Sequence, residues 1–371
     1  MGKNTVLFSA LKATLPRIRI IFKYFAVMAL IFISTGMIVQ FLEKRVSKVN
    51  DATVREKSPS SRGSNTTATS TVKATPQTDL SVEGPIVNPH PFRYLLNPET
   101  FCNKKDIFII TYVHSAPDHF EKRDAIRQTW GSRKYYLNKR VEVVFILGQV
   151  ADIGVMTSVR EESDLHGDIV QEDFVDSYRN LTYKAVAGLK WVSTFCRQAV
   201  YVLKTDDDIF VNFYVFIRYI LPTVEFRYGS TRLILCHVWV NMPVIRDKKS
   251  KWYVSKEDFS PYHFPRYCSG CAYLMSSDVT ERLYRTSLTT PFFWVDDYYI
   301  TGLLVHKLNI THRRYNSRYI FYSFRFKKQL KINKYYGAAV FILDRFQRMF
   351  FLWNTVIARE KARRYREHFK H

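Results

Sequence analysis

A chain of 371 residues that is 47% apolar can bury a large core, which excludes a wholly disordered protein and leaves room for one large domain or two with extensions. Its formal charge of +23 is concentrated late, because residues 313–371 hold 16 Lys and Arg against 3 acids. A tail this basic suits a nucleic acid, an acidic glycan or an anionic lipid surface, and the rest of the chain has to choose among them.

Residues 24–42 form an uncharged run whose clearly polar members are Ser34, Thr35 and Gln40. That length predicts one transmembrane helix, and it exceeds the apolar region of a cleaved signal peptide, so a signal anchor is expected. Lys and Arg flank both ends and do not choose an orientation. The sequons at Asn65, Asn180 and Asn309 all follow the span, and a long carboxyl-terminal domain translocates largely regardless of flanking charge. The expected arrangement is a cytoplasmic tail over 1–23, the anchor over 24–42 and all later residues in a secretory lumen, away from nucleic acid. Residues 43–95, with SPSSRGSNTTATSTVKATPQT at their heart, have almost nothing to bury and predict a lumenal stalk.

Cys102, Cys196, Cys236, Cys268 and Cys271 all follow the span, which allows at most two disulfides and leaves one thiol. Cys268 and Cys271 have knuckle or redox-pair spacing, but no second CxxC or His pair accompanies them, which argues against zinc. The pairing stays open at this point.

The folded region then alternates. DIFIITYV at 106–113 predicts a buried strand, 120–130 a helix, VEVVFIL at 141–147 a second strand and 158–165 a helix. Ile169 and Val170 read as a short strand, 180–194 as an amphipathic helix and 199–204 as a third clear strand. Alternation of this kind implies a mainly parallel sheet with helices on both faces, whose ligands bind beyond the carboxyl ends of strands. At such an end stand Asp206, Asp207 and Asp208. Three adjacent carboxylates repel one another unless a cation or strong donor joins them. In extended backbone Asp206 and Asp208 point one way and Asp207 the other, so the outer pair suits an oxygen-loving divalent ion carrying a nucleotide. A helix over 213–221 ended by Pro222 follows, then strands at 233–240 and 251–254. Asp296 and Asp297 come after the aromatic run 292–295 and serve either as a proton acceptor in a desolvated setting or as the cap of a helix over 298–308. The apolar run 348–353 within the basic tail is either the last core-packing helix or a membrane-surface helix.

Six stretches in order carry a family resemblance: Arg123–Gly131 (RDAIRQTWG), Glu172–Lys184 (EDFVDSYRNLTYK), Lys204–Asn212 (KTDDDIFVN), Ser250–Val254 (SKWYV), Pro265–Gly270 (PRYCSG) and Val295–Gly302 (VDDYYITG). Together they resemble the β1,3-galactosyltransferase and β1,3-N-acetylglucosaminyltransferase group, glycosyltransferase family 31. The resemblance implies an α/β GT-A catalytic domain over 96–330, followed by a basic extension over 331–371, in a single-pass type II Golgi membrane protein. It implies inverting transfer from a UDP-sugar, with galactose expected and N-acetylglucosamine or N-acetylgalactosamine as alternatives, to an acceptor glycan on protein or lipid. A membrane-tethered glycan-binding protein that has kept the fold is the alternative from another class.

By the same resemblance Asp206 and Asp208 hold Mn²⁺, and Asp297 is the base with Asp296 as its alternative. Arg123 and Arg127 reach the nucleotide, while Lys204, Asp206, Asp207, Trp252 and Gly270 serve the donor. Trp252 and Tyr253 would form a wall for a sugar ring. Two departures stand out. The acidic pair is followed by Tyr298 where the family often reads Glu-Asp-Val, and neither His306 nor His312 matches the late metal-binding His of related enzymes.

Overall fold

The computed structural model of the protein describes residues 84–103, 106–314, 320–322 and 338–369. The expected cytoplasmic tail, membrane span, most of the stalk, Asn65 and residues 331–337 and 370–371 of the carboxyl-terminal extension lie outside the described residues. Among the described residues no helix is long and apolar enough to cross a membrane.

The strands are β1 (Tyr94–Leu96), β2 (Ile109–His114), β3 (Tyr135–Tyr136), β4 (Lys139–Gln149), β5 (Ile169–Val175), β6 (Tyr201–Asp206), β7 (Ile209–Val211), β8 (Ile234–Trp239), β9 (Met242–Pro243), β10 (His263–Phe264), β11 (Tyr267–Ser276), β12 (His312–Arg314), β13 (Ile320–Tyr322) and β14 (Val340–Ile342). The long helices are α1 (Phe120–Gln128), α2 (Ile153–His166), α3 (Leu181–Phe195), α4 (Ser277–Leu288) and α5 (Arg348–His368).

The central sheet runs β1-β5-β4-β2-β6-β11-β8-β12, with β3 beside β4. Strands β5, β4, β2 and β6 are mutually parallel, whereas β11 is antiparallel to both β6 and β8. Parallel strands covered on both faces read as continuous apolar runs, and β2 is buried at every position. Side chains alternate between two cores, as period-2 geometry requires. Ile109, Val113, Phe145, Tyr201 and Leu203 pack on one face with Trp130 and Phe213, and Ile110, Tyr112, Val144 and Val202 pack on the other with Trp191. Helix α2 starts at an Asp152 side chain that accepts from the Val155 N–H and stops at Gly167, which takes the left-handed conformation (φ 63°) that favours glycine.

Several expectations change. The helical stretch over 213–228 continues past Pro222, because that residue sits in the first turn of the segment Leu221–Tyr228, where a missing N–H costs little. Residues 251–254 form a turn instead of a strand, and β5 is longer than the expected pair. Residues 88–95, read as the end of the stalk, belong to the domain: Asn88 donates to the Ser287 carbonyl, His90 bonds Glu172, and β1 pairs with β5. The described part of the carboxyl-terminal extension is also built in, since β14 pairs with β7, and Met349, Leu352 and Val356 of α5 lie in the core. The disulfides join Cys102 to Cys196 and Cys236 to Cys268, leaving Cys271 free, so the CxxC residues are not a redox pair.

Candidate active site

Strands β2 and β6 run parallel in a register that sets His114 beside Asp206, and both end at one cavity of about 670 Å³. Asp206, Asp207, Asp208, Lys204, Gly270, Asp296 and Asp297 all line it. Residues 90 positions apart in the chain are thus brought to one place by the β6–β11 pairing and by the packing of the helical stretch over 296–307 on β11.

The three aspartates part company there. Asp207 accepts from Ser115 Oγ at 2.8 Å, contacts His119 Nδ1 at 2.7 Å and accepts from Lys122 Nζ at 3.0 Å. Burial alone would push its carboxyl up, yet His119, Lys122 and Ser115 together hold it below the usual range. Asp207 is therefore a fully engaged anchor between β6 and the start of α1. Among the described residues Asp206 has one side-chain partner: buried Lys204 donates to its Oδ1 at 2.6 Å and to the Gly270 carbonyl at 2.6 Å. Enclosure pushes Asp206 up to about 7, against the pull of Lys204 and with the charge of Asp208 adding to the rise. Asp208 is also raised, by burial and then by Asp207, and no side chain among the described residues is seen to donate to it.

The second acid pair opens a short helical turn. Asp297 Oδ1 accepts from the Tyr298 N–H at 2.8 Å, and its carbonyl accepts from Thr301 Oγ1 at 2.5 Å. The cavity reading holds for Asp297, but the cap reading does not: the cap position is Val295, no side chain caps the turn, and both acids lie inside it. Burial raises both carboxyls, and the charge of Asp296 raises Asp297 further. Gly270 has a definite job: a Cβ there would lie 3.1 Å from the Asp297 Cβ, so the absence of a side chain lets Asp297 reach the cavity wall.

Other expected residues lie elsewhere. Arg123 is fully buried and does not line the cavity. Its guanidinium donates to Glu162 at 2.6 and 2.9 Å, to the Ala116 carbonyl at 2.5 Å, to the Pro117 carbonyl at 2.9 Å and to Ser115 Oγ at 3.1 Å. Arg127 is spent on Asp168, with two bonds of 2.8 Å, and on Glu162 at 2.6 Å. The i, i+4 spacing does align them, but toward acids of α2 and its carboxyl-terminal loop: Arg123 braces the 115–117 loop and Arg127 ties α1 to Glu162 and Asp168. Trp252 is 56% exposed and outside the cavity wall, which its neighbour Lys251 and Tyr178 form instead. His312 Nε2 contacts the Thr301 carbonyl at 2.6 Å, and neither it nor exposed His306 lines the cavity.

The sequence reading missed several neighbours. Buried Lys184 donates to the Ser115 carbonyl at 2.5 Å and to the Asp176 carboxylate at 2.8 Å. Both members of that pair sit in the Glu172–Lys184 stretch, where an acid and a lysine eight residues apart were the available signal. Ser115 and His119 carried only their place after a strand's carboxyl end. His114 is buried with an unpartnered Nε2, and burial first, then Lys204 and Lys184, hold its imidazole well below the usual range.

No cluster of three or more His, Cys, Asp or Glu side chains that could alone hold a metal occurs among the described residues. The two raised carboxylates of Asp206 and Asp208 nevertheless fit a hard divalent cation that takes its remaining ligands from oxygens of a substrate and water.

A family model described as Galactosyltransferase matches residues 121–316. Beta-1,3-galactosyltransferase 1 of Homo sapiens is 39% identical over 225 residues, covering 60% of this chain and 68% of that protein. Beta-1,3-galactosyltransferase 5 of Homo sapiens is 35% identical over 229 residues, covering 62% of this chain and 72% of that protein. Among solved structures, galactosyltransferase LgtC in complex with donor and acceptor sugar analogs covers 67% of this chain and 95% of its own at 10% identity and a TM-score of 0.33, too distant to bear on the argument.

Proposed function

The chain belongs to the galactosyltransferase family, and from that premise we propose that it transfers galactose from UDP-galactose, with inversion and in β1,3 linkage, to a hydroxyl of an acceptor glycan on protein or lipid. The observation that carries this reading is the gathering of two raised carboxylate pairs, Asp206 with Asp208 and Asp296 with Asp297, around one cavity at the strand ends of the mixed central sheet.

Inversion by one displacement needs one base on the acceptor side and charge stabilisation on the leaving side. Asp297 takes the proton of the acceptor hydroxyl as its oxygen bonds to the anomeric carbon and the bond from that carbon to the diphosphate breaks. Its raised affinity for a proton suits it to that acceptance near neutral pH. Gly270 gives it room, and Asp296 tunes it by charge. Asp206 and Asp208 would hold Mn²⁺, which supplies countercharge to the departing diphosphate. Lys204 keeps Asp206 aimed while tying β6 to the Gly270 carbonyl, and Asp207 locks the triplet to the 115–122 segment. Bound groups so poorly neutralised in the free protein disfavour the glycan-binding alternative, which gains nothing from buried, mutually repelling acids.

We place this chemistry in the Golgi lumen, behind the 24–42 anchor and a stalk that ends near residue 87, as a single-pass type II membrane protein. Two disulfides and three sequons on the same side of the span support an oxidising secretory compartment. The test is a donor panel with Mn²⁺ on a glycan array, using the detergent-purified full chain. Turnover with UDP-galactose is expected. Transfer from UDP-N-acetylhexosamines alone would replace galactose as the donor, and glycan binding without transfer from any donor would replace the enzyme reading.

A further inference from the structure

Between the paired strands β9 and β10 the chain makes an excursion over residues 244–262 that is braced from within. The Arg246 guanidinium donates to the carbonyls of Val254, Ser255, Phe259 and Pro261 at 2.6 to 2.9 Å. The Tyr253 N–H donates to the Ser250 carbonyl at 3.0 Å, and the Val254 N–H to the Ile245 carbonyl at 3.0 Å. Val254 is buried with Phe264, Tyr267 and Tyr298 in a small core of its own, and Tyr298 follows the base Asp297, so the turn and the acid pair share one support. Yet Trp252, on this braced turn, is 56% exposed, and neighbouring Tyr178 is 43% exposed. Lys251 reaches both rings, with its ammonium 4.6 Å from the Trp252 centroid and 5.5 Å from that of Tyr178. Arg179 closes the group, stacking 3.8 Å from the Trp294 centroid while it donates to the Tyr253 carbonyl at 3.4 Å.

Tyr178 and Lys251 line the cavity, and Trp252 stands one residue outside it. Trp294, which Arg179 ties to the turn, comes two residues before Asp296, so the rings gather on the acid-pair side of the cavity. The Tyr178 phenol agrees with that placement, being pushed up by burial first and then by the charges of Asp296 and Asp297. A pyranose ring presents an apolar C–H face and keeps its hydroxyls at the edge, which matches an indole that is fixed in place and half in water. We propose that Trp252 and Tyr178 form a platform for the second sugar of the acceptor, counted from the hydroxyl that receives the transferred unit, so that the preferred acceptor is a glycan of at least two sugars. The terminal sugar has to enter the cavity to bring its hydroxyl to Asp297, and the unit behind it is then the one that meets the rim. The inference rests on the transfer reading and adds the size of the acceptor to it.

The experiment uses the detergent-purified full chain with Mn²⁺ and the donor panel. Methyl glycosides of N-acetylglucosamine, N-acetylgalactosamine and galactose are offered as monosaccharides and as the terminal unit of disaccharides. The disaccharide of the best terminal sugar should exceed its monosaccharide in kcat/KM by about tenfold, with the difference carried by KM. Trp252→Ala should cut that ratio to about two, and Trp252→Phe should keep most of it. A wild-type ratio near one overturns the platform and leaves the transfer reading standing. A Trp252→Ala loss that falls equally on both acceptors also overturns it, since a merely structural role has that effect, and a loss that falls on the KM for the donor overturns it in favour of a nucleotide contact. Absence of turnover with every pair of donor and acceptor overturns the transfer reading and this inference with it.

Discussion

The cavity at the end of β6 and the ion network behind α1 are both crowded with charge, and they settle it in opposite ways. In the network every charge is answered: Arg123 and Arg127 meet Glu162 and Asp168 in bonds of 2.6 to 2.9 Å. Burial would push Glu162 up, yet the two arginines hold it below the usual range. In the cavity four carboxyls are raised, and two of the lysines there, Lys204 and Lys184, each spend a bond on a backbone carbonyl, while Lys122 serves Asp207. Satisfied charge fixes a loop in place, whereas unsatisfied charge marks where a substrate and its cation complete the set.

The comparison breaks most visibly at the base. Asp297→Asn should lower kcat by about 10³-fold with little change in the KM for the donor, because the amide cannot accept the acceptor's proton. Asp296→Asn should cost much less. The reverse ranking in steady-state assays moves the base to Asp296. Asp208→Asn should show a loss partly recovered at high Mn²⁺, and a loss indifferent to Mn²⁺ removes Asp208 from the metal.

The network should break differently. Arg123→Met leaves Glu162 half answered and takes the guanidinium from three acceptors of the 115–117 loop, of which the Ala116 carbonyl keeps the His119 N–H, a loss of roughly 3 kcal/mol for a buried pair. Urea titration reads that loss, while turnover per folded molecule stays far above that of Asp297→Asn. Unchanged stability with a steeply raised donor KM would instead return Arg123 to the nucleotide.

That contrast also explains what the sequence could and could not reveal. The parallel sheet was legible because β2, β4 and β6 are apolar runs separated by helical periods, and the acids were legible because repulsion at a strand end demands a partner. The fate of Arg123 was not, since an arginine aimed at a phosphate and one aimed at Glu162 look alike until the 39-residue separation closes in space. Residues 88–95 were misjudged for a related reason, because polar composition hid the contact of His90 with Glu172 that only the folded neighbours make visible. The 348–353 run, by contrast, was open to a core-packing reading, and Met349 and Leu352 of α5 bear it out.

The smallest expected effect sharpens the comparison by pH. Asp206 has a folded-state pKa of about 7, above its unfolded value near 3.8. A carboxyl so raised favours folding at low pH, where it is neutral, and that contribution is lost as pH rises from about 4 through 7. Asp206→Asn cannot lose it, so without metal the variant's Tm should gain on the wild type between pH 5 and pH 8. The side chain is 39% exposed, which screens the charge and holds the gain to roughly 1 kcal/mol, or about 2–4 °C. Lys204 stays protonated across that range, being raised by Asp206 and Asp296 despite its burial, and it keeps the Gly270 carbonyl and an amide oxygen as acceptors in the variant. Mn²⁺ should then stabilise the wild type at pH 8 and leave the variant nearly unmoved. A Tm difference that is flat in pH and blind to Mn²⁺ would mean that Asp206, like Glu162, is already fully answered within the protein.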